Sequence, residues 1–346
     1  MSIKIIFKEE NEKLFWEKWN EYTASQKSGP LYLKINLEYN LSYFKNFYRD
    51  KSFVYLENNQ PLACVFLPLE KNGDETAISH SGGYVDAPLA LNNSAQKKVF
   101  SIIDEIAEEN RVAKIKFSID VLAGVKHNYL IKYNFLDTSI LNYLIDLSGD
   151  LLKPMRRGHR SDVKDMLKNP EFNVFFLDKK NVSVKAFLEY AELHHKCSGR
   201  ITRPKITFDL QLEKIRQGVA MLSGLKYKNK SIAFCYFEYY GDQAIYGSAA
   251  DDPDYDKLPL YHVLIYSGME YLKQRGARLI DTGQPSCPAP QFDYYPDKKQ
   301  LNIALFKRGF GGYFKQNFRG IKYFSKEAWK EDLKVFGEQY DFNVKL

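Results

Sequence analysis

One order of secondary-structure signals runs twice through this 346-residue chain. Residues 9–28 place Phe15, Trp16, Trp19 and Tyr22 at helical spacing, and 39–49 carry Tyr43, Phe44, Phe47 and Tyr48 in a second helical pattern. The apolar runs Ser52–Leu56 and Pro61–Leu69 flank the turn-rich Glu57-Asn58-Asn59-Gln60, which predicts a hairpin. A strand over Thr76–Val85, broken by Ser81-Gly82-Gly83, a helix over 93–110 capped by Asn92 or Asn93, and strands at Ala113–Ile119 and Tyr143–Asp146 follow. The second half repeats the sequence: a basic helix (Pro154–Lys168), a strand (Phe172–Leu177), and helices Val184–Cys197 and Phe208–Gln217 around an irregular Ser198–Thr207. Then come the hairpin Ala220–Lys226 and Ser231–Tyr239, strand Gln243–Ala249, helix Pro259–Arg275 and strand Ala277–Asp281. Matching the hairpins gives a unit of about 150–170 residues used twice, an ordinary domain size. The expected division is 1–150 and 151–324, with one amphipathic helix in 325–346 (Ala328, Trp329, Leu333, Phe336) returning to the first domain. No Gly-, Pro- or Ser-rich linker parts the halves, so tight packing with a ligand cleft between them is expected. The class is mixed α+β.

Charge separates the halves. Residues 1–150 hold 17 basic and 20 acidic side chains; residues 151–346 hold 33 and 23. A net of +10 confined to one half suggests an anionic partner, because clustered cations raise local anion concentration; a solvated lysine surface accounts for the same count. No stretch approaches the roughly 20 apolar residues of a membrane span. The start, Met1–Lys8, reads as a strand rather than a signal peptide. Cys64, Cys197, Cys235 and Cys287 form no CxxC pair, and Cys64 and Cys235 sit in strand-like runs, which points to buried thiols in a reducing cytosol. The six histidines show no zinc-type spacing, so no metal site is expected.

The doubled order of two helices, hairpin, strand, helix and strand resembles the GNAT acyltransferase fold, and doubled in one chain it resembles the FemABX-type transferases, which attach amino acids to peptidoglycan precursors. Three segments carry the likeness: Met155-Arg156-Arg157-Gly158-His159-Arg160-Ser161-Asp162-Val163-Lys164 as a basic helix opening the second domain; Pro259-Leu260-Tyr261-His262 through Leu279-Ile280-Asp281-Thr282-Gly283 as a long helix and a strand ending in Asp-x-Gly; and Leu305-Phe306-Lys307-Arg308-Gly309-Phe310-Gly311-Gly312 as a late Phe-Lys motif. The fold implied is two tandem GNAT-like domains packed against each other, the second carrying the active site. Two departures stand out. Ser81-Gly82-Gly83-Tyr84-Val85 occupies the place of the family's Arg-Gly-Pro element, and residues 184–217, broken by Pro204, are too short for the coiled-coil insertion of several members.

Acyl transfer to an amine passes through a tetrahedral oxyanion, which a nearby ammonium stabilises more than the ground-state carbonyl. The resemblance gives this role to Lys307, whose neighbours Gly309, Gly311 and Gly312 would let backbone approach a ligand closely. Asp281 and His262 are the candidate bases, although water or the leaving group can take the proton instead. The segment His194–Pro204 gathers two histidines, a lysine and two arginines; Arg200, Arg203 and His195 are the expected contacts to a phosphate or carboxylate. Tyr246 and Ser248, on the strand beside which GNAT folds place the acyl group, and Gln284, Phe306, Phe310 and Gly311 complete the candidate substrate contacts.

The donor reads differently from an ordinary GNAT. CoA-dependent members place a glycine-rich loop before the long helix; here the loop is Asp251-Asp252-Pro253-Asp254-Tyr255-Asp256-Lys257-Leu258-Pro259. Four carboxylates repel pyrophosphate, and two prolines lack amide donors. No cofactor is expected to stay bound. The acyl donor is a co-substrate, aminoacyl-tRNA or acyl-CoA, with the acidic loop favouring the former. The expected function is N-acyl transfer to a nucleotide- or lipid-linked peptidoglycan or surface-glycan precursor, in the cytoplasm or at the inner membrane face, where peripheral membrane contact is compatible with the sequence. Two rivals remain open: a CoA-dependent N-acyltransferase acting on an amino sugar of surface polysaccharide, and a non-catalytic glycan-binding protein.

Overall fold

The computed structural model describes residues 2–26, 28–283 and 291–341. It forms two compact units: residues 1–141, 287–298 and 316–346, and residues 142–286 and 299–315. The chain runs through β1 (Ile3–Phe7), α1 (Glu12–Gln26), α2 (Lys34–Tyr43), β2 (Phe47–Asp50), β3 (Phe53–Glu57), β4 (Gln60–Val65), β5 (Pro68–Asn72) and β6 (Glu75–Ile78). It continues with β7 (Val85–Asp86), β8 (Leu89–Ala90), α3 (Asn93–Glu109), β9 (Val112–Ser118), β10 (Leu136–Asp137), β11 (Ile140–Asp146), α4 (Arg157–Lys168), β12 (Phe172–Leu177), α5 (Val184–Ser198) and α6 (Lys205–Gln217). The remainder is β13 (Ala220–Tyr227), β14 (Lys230–Tyr240), β15 (Gln243–Asp251), α7 (Leu260–Gln274), β16 (Leu279–Asp281), α8 (Lys298–Arg308), β17 (Tyr313–Asn317), β18 (Arg319–Tyr323) and α9 (Lys326–Asp341). This is the mixed α+β architecture expected.

The first unit holds two sheets, ordered β1-β3-β4-β8 and β10-β18-β9-β6-β5-β2, with β7 also on β9. The aromatic stripe of α1 is its core: Phe15, Trp16, Trp19 and Tyr22 are buried, and the Trp19 indole N–H donates to the Tyr32 carbonyl at 2.8 Å. Two elements differ from the sequence reading. The second helix ends at Tyr43, and Phe47–Asp50 pairs antiparallel with β5 instead, because the aromatic spacing fits a strand edge as well as a helix face. The strand foreseen over 76–85 is two pieces, β6 and β7, both parallel to β9, separated by a turn in which Ser81 and Gly82 take positive φ.

That turn is held by buried charge. The Lys116 ammonium donates to the Gly82 carbonyl at 2.8 Å and pairs with Asp293 at 2.8 Å. Arg319 lies 4.3 Å from the Tyr84 ring and donates through Nε to the Thr138 carbonyl at 2.5 Å. Burial depresses the Arg319 pKa, with Tyr84 and Asp293 opposing it. These contacts fasten the turn and residues 291–297 to β9 and β18.

The second unit holds one sheet, β12-β13-β14-β15-β16-β11-β17. Alternation along its central strands sends Met221, Leu225, Cys235 and Phe237 to one face, with Val163, Val263, Leu264 and Met269, and sends Leu222, Phe234 and Tyr236 to the other, with Phe187, Tyr190, Phe208 and Ile215.

Replacing Lys116 by Met leaves Asp293 without its ammonium and is expected to destabilise the first unit by about 2 kcal/mol in urea denaturation. No change in midpoint would mean that water replaces the pair without cost.

Candidate active site

β15 pairs with β14 along its whole length but runs parallel to β16 only over Gln243–Ile245, opposite Leu279–Asp281. The pairing stops at Ile245 because β16 ends at its partner, Asp281. Gly247 is an extra residue at this point, since Tyr236 faces Ser248 while Phe237 faces Tyr246; a Cβ on Gly247 would stand 3.1 Å from the Tyr236 ring. A bulge of this kind shifts which face the following side chains occupy. β16 is kept straight by β11 on its other edge, and Thr282 fastens to the Tyr143 carbonyl through both N–H (3.0 Å) and O–H (2.7 Å).

Lys307 reaches this strand end. It sits in the last turn of α8, 8% exposed, donates to the Thr282 carbonyl at 2.5 Å, and lies 4.7 Å from the centre of the Tyr246 ring. It makes no ion pair among the described residues. Burial brings its pKa down to about 8, while the nearby Asp281 and Cys235 work in the other direction. Burial likewise raises the Asp281 carboxyl, whose oxygens accept from the Gly283 N–H at 2.7 Å and the Asn142 amide at 3.1 Å. Asp281 thus closes a strand-end turn. The Tyr246 hydroxyl is buried 3.8 Å from the Cys235 sulfur, and burial pushes it well above the ordinary phenol range.

His262 occupies a different environment. Its ring packs 4.4 Å from His159 and 4.9 Å from Phe306, with Nε2 3.5 Å from Asp162. Burial first, and then His159, lower its pKa. Phe306 and Phe310 complete the box, at 5.2 and 5.0 Å from His159. Sequence reasoning missed His159, although it lies in the basic helix singled out there. The glycines of the Lys307 segment also have another reason than the one expected. A Cβ on Gly309 would strike the His159 ring at 2.1 Å; on Gly311 (φ +80°) it would meet Pro154 at 2.6 Å; on Gly312 (φ +145°) it would meet the Leu144 carbonyl at 2.3 Å. Protein, not ligand, takes the space that these glycines leave.

The basic segment is a second correction. The Arg203 guanidinium is buried, stacks 4.0 Å from Phe208, and donates to the Tyr190 hydroxyl at 3.0 Å and to Gln211 at 2.9 Å. Tyr190 in turn lies 2.6 Å from the Ser248 hydroxyl. Arg203 and Ser248 therefore meet through Tyr190 and brace the bulged strand from inside the unit. His195 is half-buried beside Phe208, and Arg200 is exposed. Gln284 lies outside the described residues.

The acidic loop is built in by its own partners. Asp252 is buried and bonded to Lys196 and, at 2.9 Å, to Lys230; burial opposes its ionisation, yet the two ammonium groups hold it well below the usual carboxylate range. Asp251 accepts from the Tyr261 hydroxyl and from the Cys197 thiol at 3.2 Å. Lys196 also meets Asp254, at 3.0 Å. Two lysines thus pair with two of the four carboxylates just ahead of α7, Asp252 and Asp254. Among the described residues no helix is long and apolar enough to cross a membrane, and no group of three or more His, Cys, Asp or Glu is placed to hold a metal.

No family model matches the chain, and no curated protein matches it by sequence. Solved structures match its fold. The crystal structure of FemX superposes with a TM-score of 0.69 at 16% identity, covering 96% of this chain and 99% of that one. L-PGS from Bacillus licheniformis gives 0.60 at 12% identity, over 92% and 95%. A tandem GNAT protein from the clavulanic acid biosynthesis pathway gives 0.54 at 10% identity, over 93% and 98%. The chain has a FemABX-like tandem GNAT fold.

Because Lys307 is held near pKa 8 in the native state and titrates at 10.5 when unfolded, the unfolded chain binds the extra proton between those values. Stability carried by this group is therefore expected to rise as pH goes from 8 to 10.5. Chemical denaturation across that range should show the rise in the natural protein and lose it in Lys307→Met; parallel curves would contradict the buried placement.

Proposed function

We propose that the second unit transfers an acyl group, most simply an aminoacyl group from charged tRNA, to an amine on a nucleotide- or lipid-linked cell-envelope precursor. One observation carries the reading: a buried ammonium with no ion-pair partner among the described residues stands where the pairing of β15 with β16 ends, beside a bulge in β15. Such a charge is costly to bury and gains most from an anion that develops beside it during reaction.

In the proposed reaction the acceptor nitrogen attacks the donor's ester carbonyl, a C–N bond forms, and the oxyanion so created is stabilised by Lys307 together with its neighbouring dipoles. Collapse breaks the C–O bond and releases the hydroxyl of the donor. The nitrogen's proton goes to that leaving oxygen or to water, since Asp281 is engaged in its turn and His262 lies in the aromatic box. The Tyr246 ring seats the ammonium and borders the acyl group.

Support for tRNA over CoA is electrostatic. By the resemblance, Asp251, Asp252, Asp254 and Asp256 fall where a GNAT helix start would receive pyrophosphate, with Lys196 and Lys230 already taken up by Asp252 and Asp254. The second unit as a whole holds 26 basic and 18 acidic side chains, so an anionic substrate remains favoured elsewhere on it, with the exposed Arg200 as one contact. The likeness of the fold to FemX and to L-PGS supports an acyl-transfer reading in kind.

Incubation with charged tRNA and with acetyl-CoA, each with nucleotide-linked peptidoglycan precursors and amino sugars, tests the reading by mass shift of the acceptor. Aminoacylated precursor is expected, with turnover falling about 100-fold or more in Lys307→Ala. Acetylated amino sugar would favour the CoA-dependent alternative. Binding of a glycan without turnover of either donor, together with unchanged binding in Lys307→Ala, would favour a non-catalytic protein.

A further inference from the structure

The basic helix that opens the second domain has no part in the reaction as proposed, yet it touches the Lys307 segment at three points. The His159 ring nitrogen Nε2 lies 2.9 Å from the Phe306 carbonyl, in the final turn of α8. The Arg156 N–H donates to the Gly309 carbonyl at 2.8 Å. Pro154 fills the space beside Gly311, where no Cβ fits. The carbonyls of a helix's last turn have no partner within the helix. Here the Phe306 carbonyl accepts from the Gly309 N–H just past the helix, at 2.9 Å, and also from a side chain 147 residues earlier in the chain.

We propose that His159 is a positioning residue for Lys307: its N–H caps the end of α8, its ring occupies the space left by Gly309, and together they set how closely the Lys307 ammonium approaches the Thr282 carbonyl. The proposal rests on the acyl-transfer reading for its consequence, not for its geometry. A carbonyl oxygen can only accept, so Nε2 carries the proton in this contact. The ring cannot slide toward the backbone, because it already stands where a Cβ of residue 309 would be, 2.1 Å away. Nor can it swing out freely, since His262, Phe306 and Phe310 enclose it at 4.4, 5.2 and 5.0 Å. Phe306 is bonded to His159 through its carbonyl and packed on it through its side chain, and Lys307 is the next residue. A shift of this turn by 1 Å would move the ammonium away from the Thr282 carbonyl by a similar distance, a displacement that costs a catalytic arrangement up to about 100-fold.

The neighbouring basic residues have no such role. Arg157 and Arg160 are accounted for as a charged helix face; among the described residues the Arg160 side chain reaches the Lys153 carbonyl, at 3.5 Å. The selectivity for His159 among these residues is what separates a positioning role from general basicity.

Two substitutions in the full chain test this. His159→Phe retains a ring for the aromatic box and removes the donor; His159→Gln keeps an N–H that reaches the Phe306 carbonyl. Competitive labelling with acetic anhydride across pH, followed by peptide mass spectrometry, reports the titration of the Lys307 amine whether or not the protein turns over. In His159→Phe the midpoint is expected to rise by about one unit as the ammonium gains water, with kcat down about 10-fold and KM within about twofold; in His159→Gln both are expected near the natural values. An unchanged Lys307 midpoint in His159→Phe overturns the proposal, as does a loss of equal size in His159→Gln. Retained turnover in Lys307→Ala would instead refute the acyl-transfer reading, and the labelling result would still decide the positioning role.

Discussion

The burial of the Lys307 ammonium against a strand-end carbonyl is the constraint that the second unit is arranged to satisfy. A cation removed from water must be bonded, and here the partner is the Thr282 carbonyl with an aromatic face beside it rather than a carboxylate in contact. For that carbonyl to be in place, β16 has to end at Asp281 and hold to β11, which the paired contacts of Thr282 to Tyr143 secure. The aromatic face comes from Tyr246, one residue past the last β15 residue paired with β16 and next to the bulge at Gly247. The ammonium has to arrive from α8, whose last turn is fixed by α4 and by glycines that tolerate close backbone approach. Each of these features alone is ordinary. Jointly they keep a charge poised near neutrality where the pairing of β15 with β16 ends.

The hairpins were legible in the sequence because their turns are local. Asn58-Asn59 and Lys228-Asn229 both take positive φ in succession, the geometry that asparagine tolerates and that two-residue hairpins demand. The long helices and the two-fold order of elements were legible for the same reason: periodicity is a property of neighbours. The short strands β10, β17 and β18 and the helix α8 were not foreseen, since their partners lie far away in sequence and their own patterns are weak. Phe47–Asp50 shows the limit most clearly, because one aromatic spacing served two structures and pairing with β5 chose between them.

The site divides along the same line. Lys307, Asp281 and Phe306 were named because motifs carried them, and Tyr246 because of its strand's place in the fold; the structure brings Lys307, Asp281 and Tyr246 close together. Composition could not tell which of the two arginines in the basic segment turns inward; Arg203 does so because Tyr190, Gln211 and Phe208 give it partners. The glycines announced a close approach without saying to what. His159 escaped notice because a histidine among arginines reads as charge, and its acceptor is remote in the chain. The partners of the acidic loop were not legible either, since Lys196 and Lys230, which pair with Asp252 and Asp254, lie on other elements.

The central claim is that a protonated Lys307 stabilises the developing oxyanion, and the pH–rate profile of acyl transfer tests it most directly. Turnover should fall as pH rises through about 8, where the natural protein loses this proton. In Lys307→Arg, which stays charged, the residual rate should show no such descending limb. A limb near pH 8 that persists in Lys307→Arg, or its absence from the natural protein, would contradict the account.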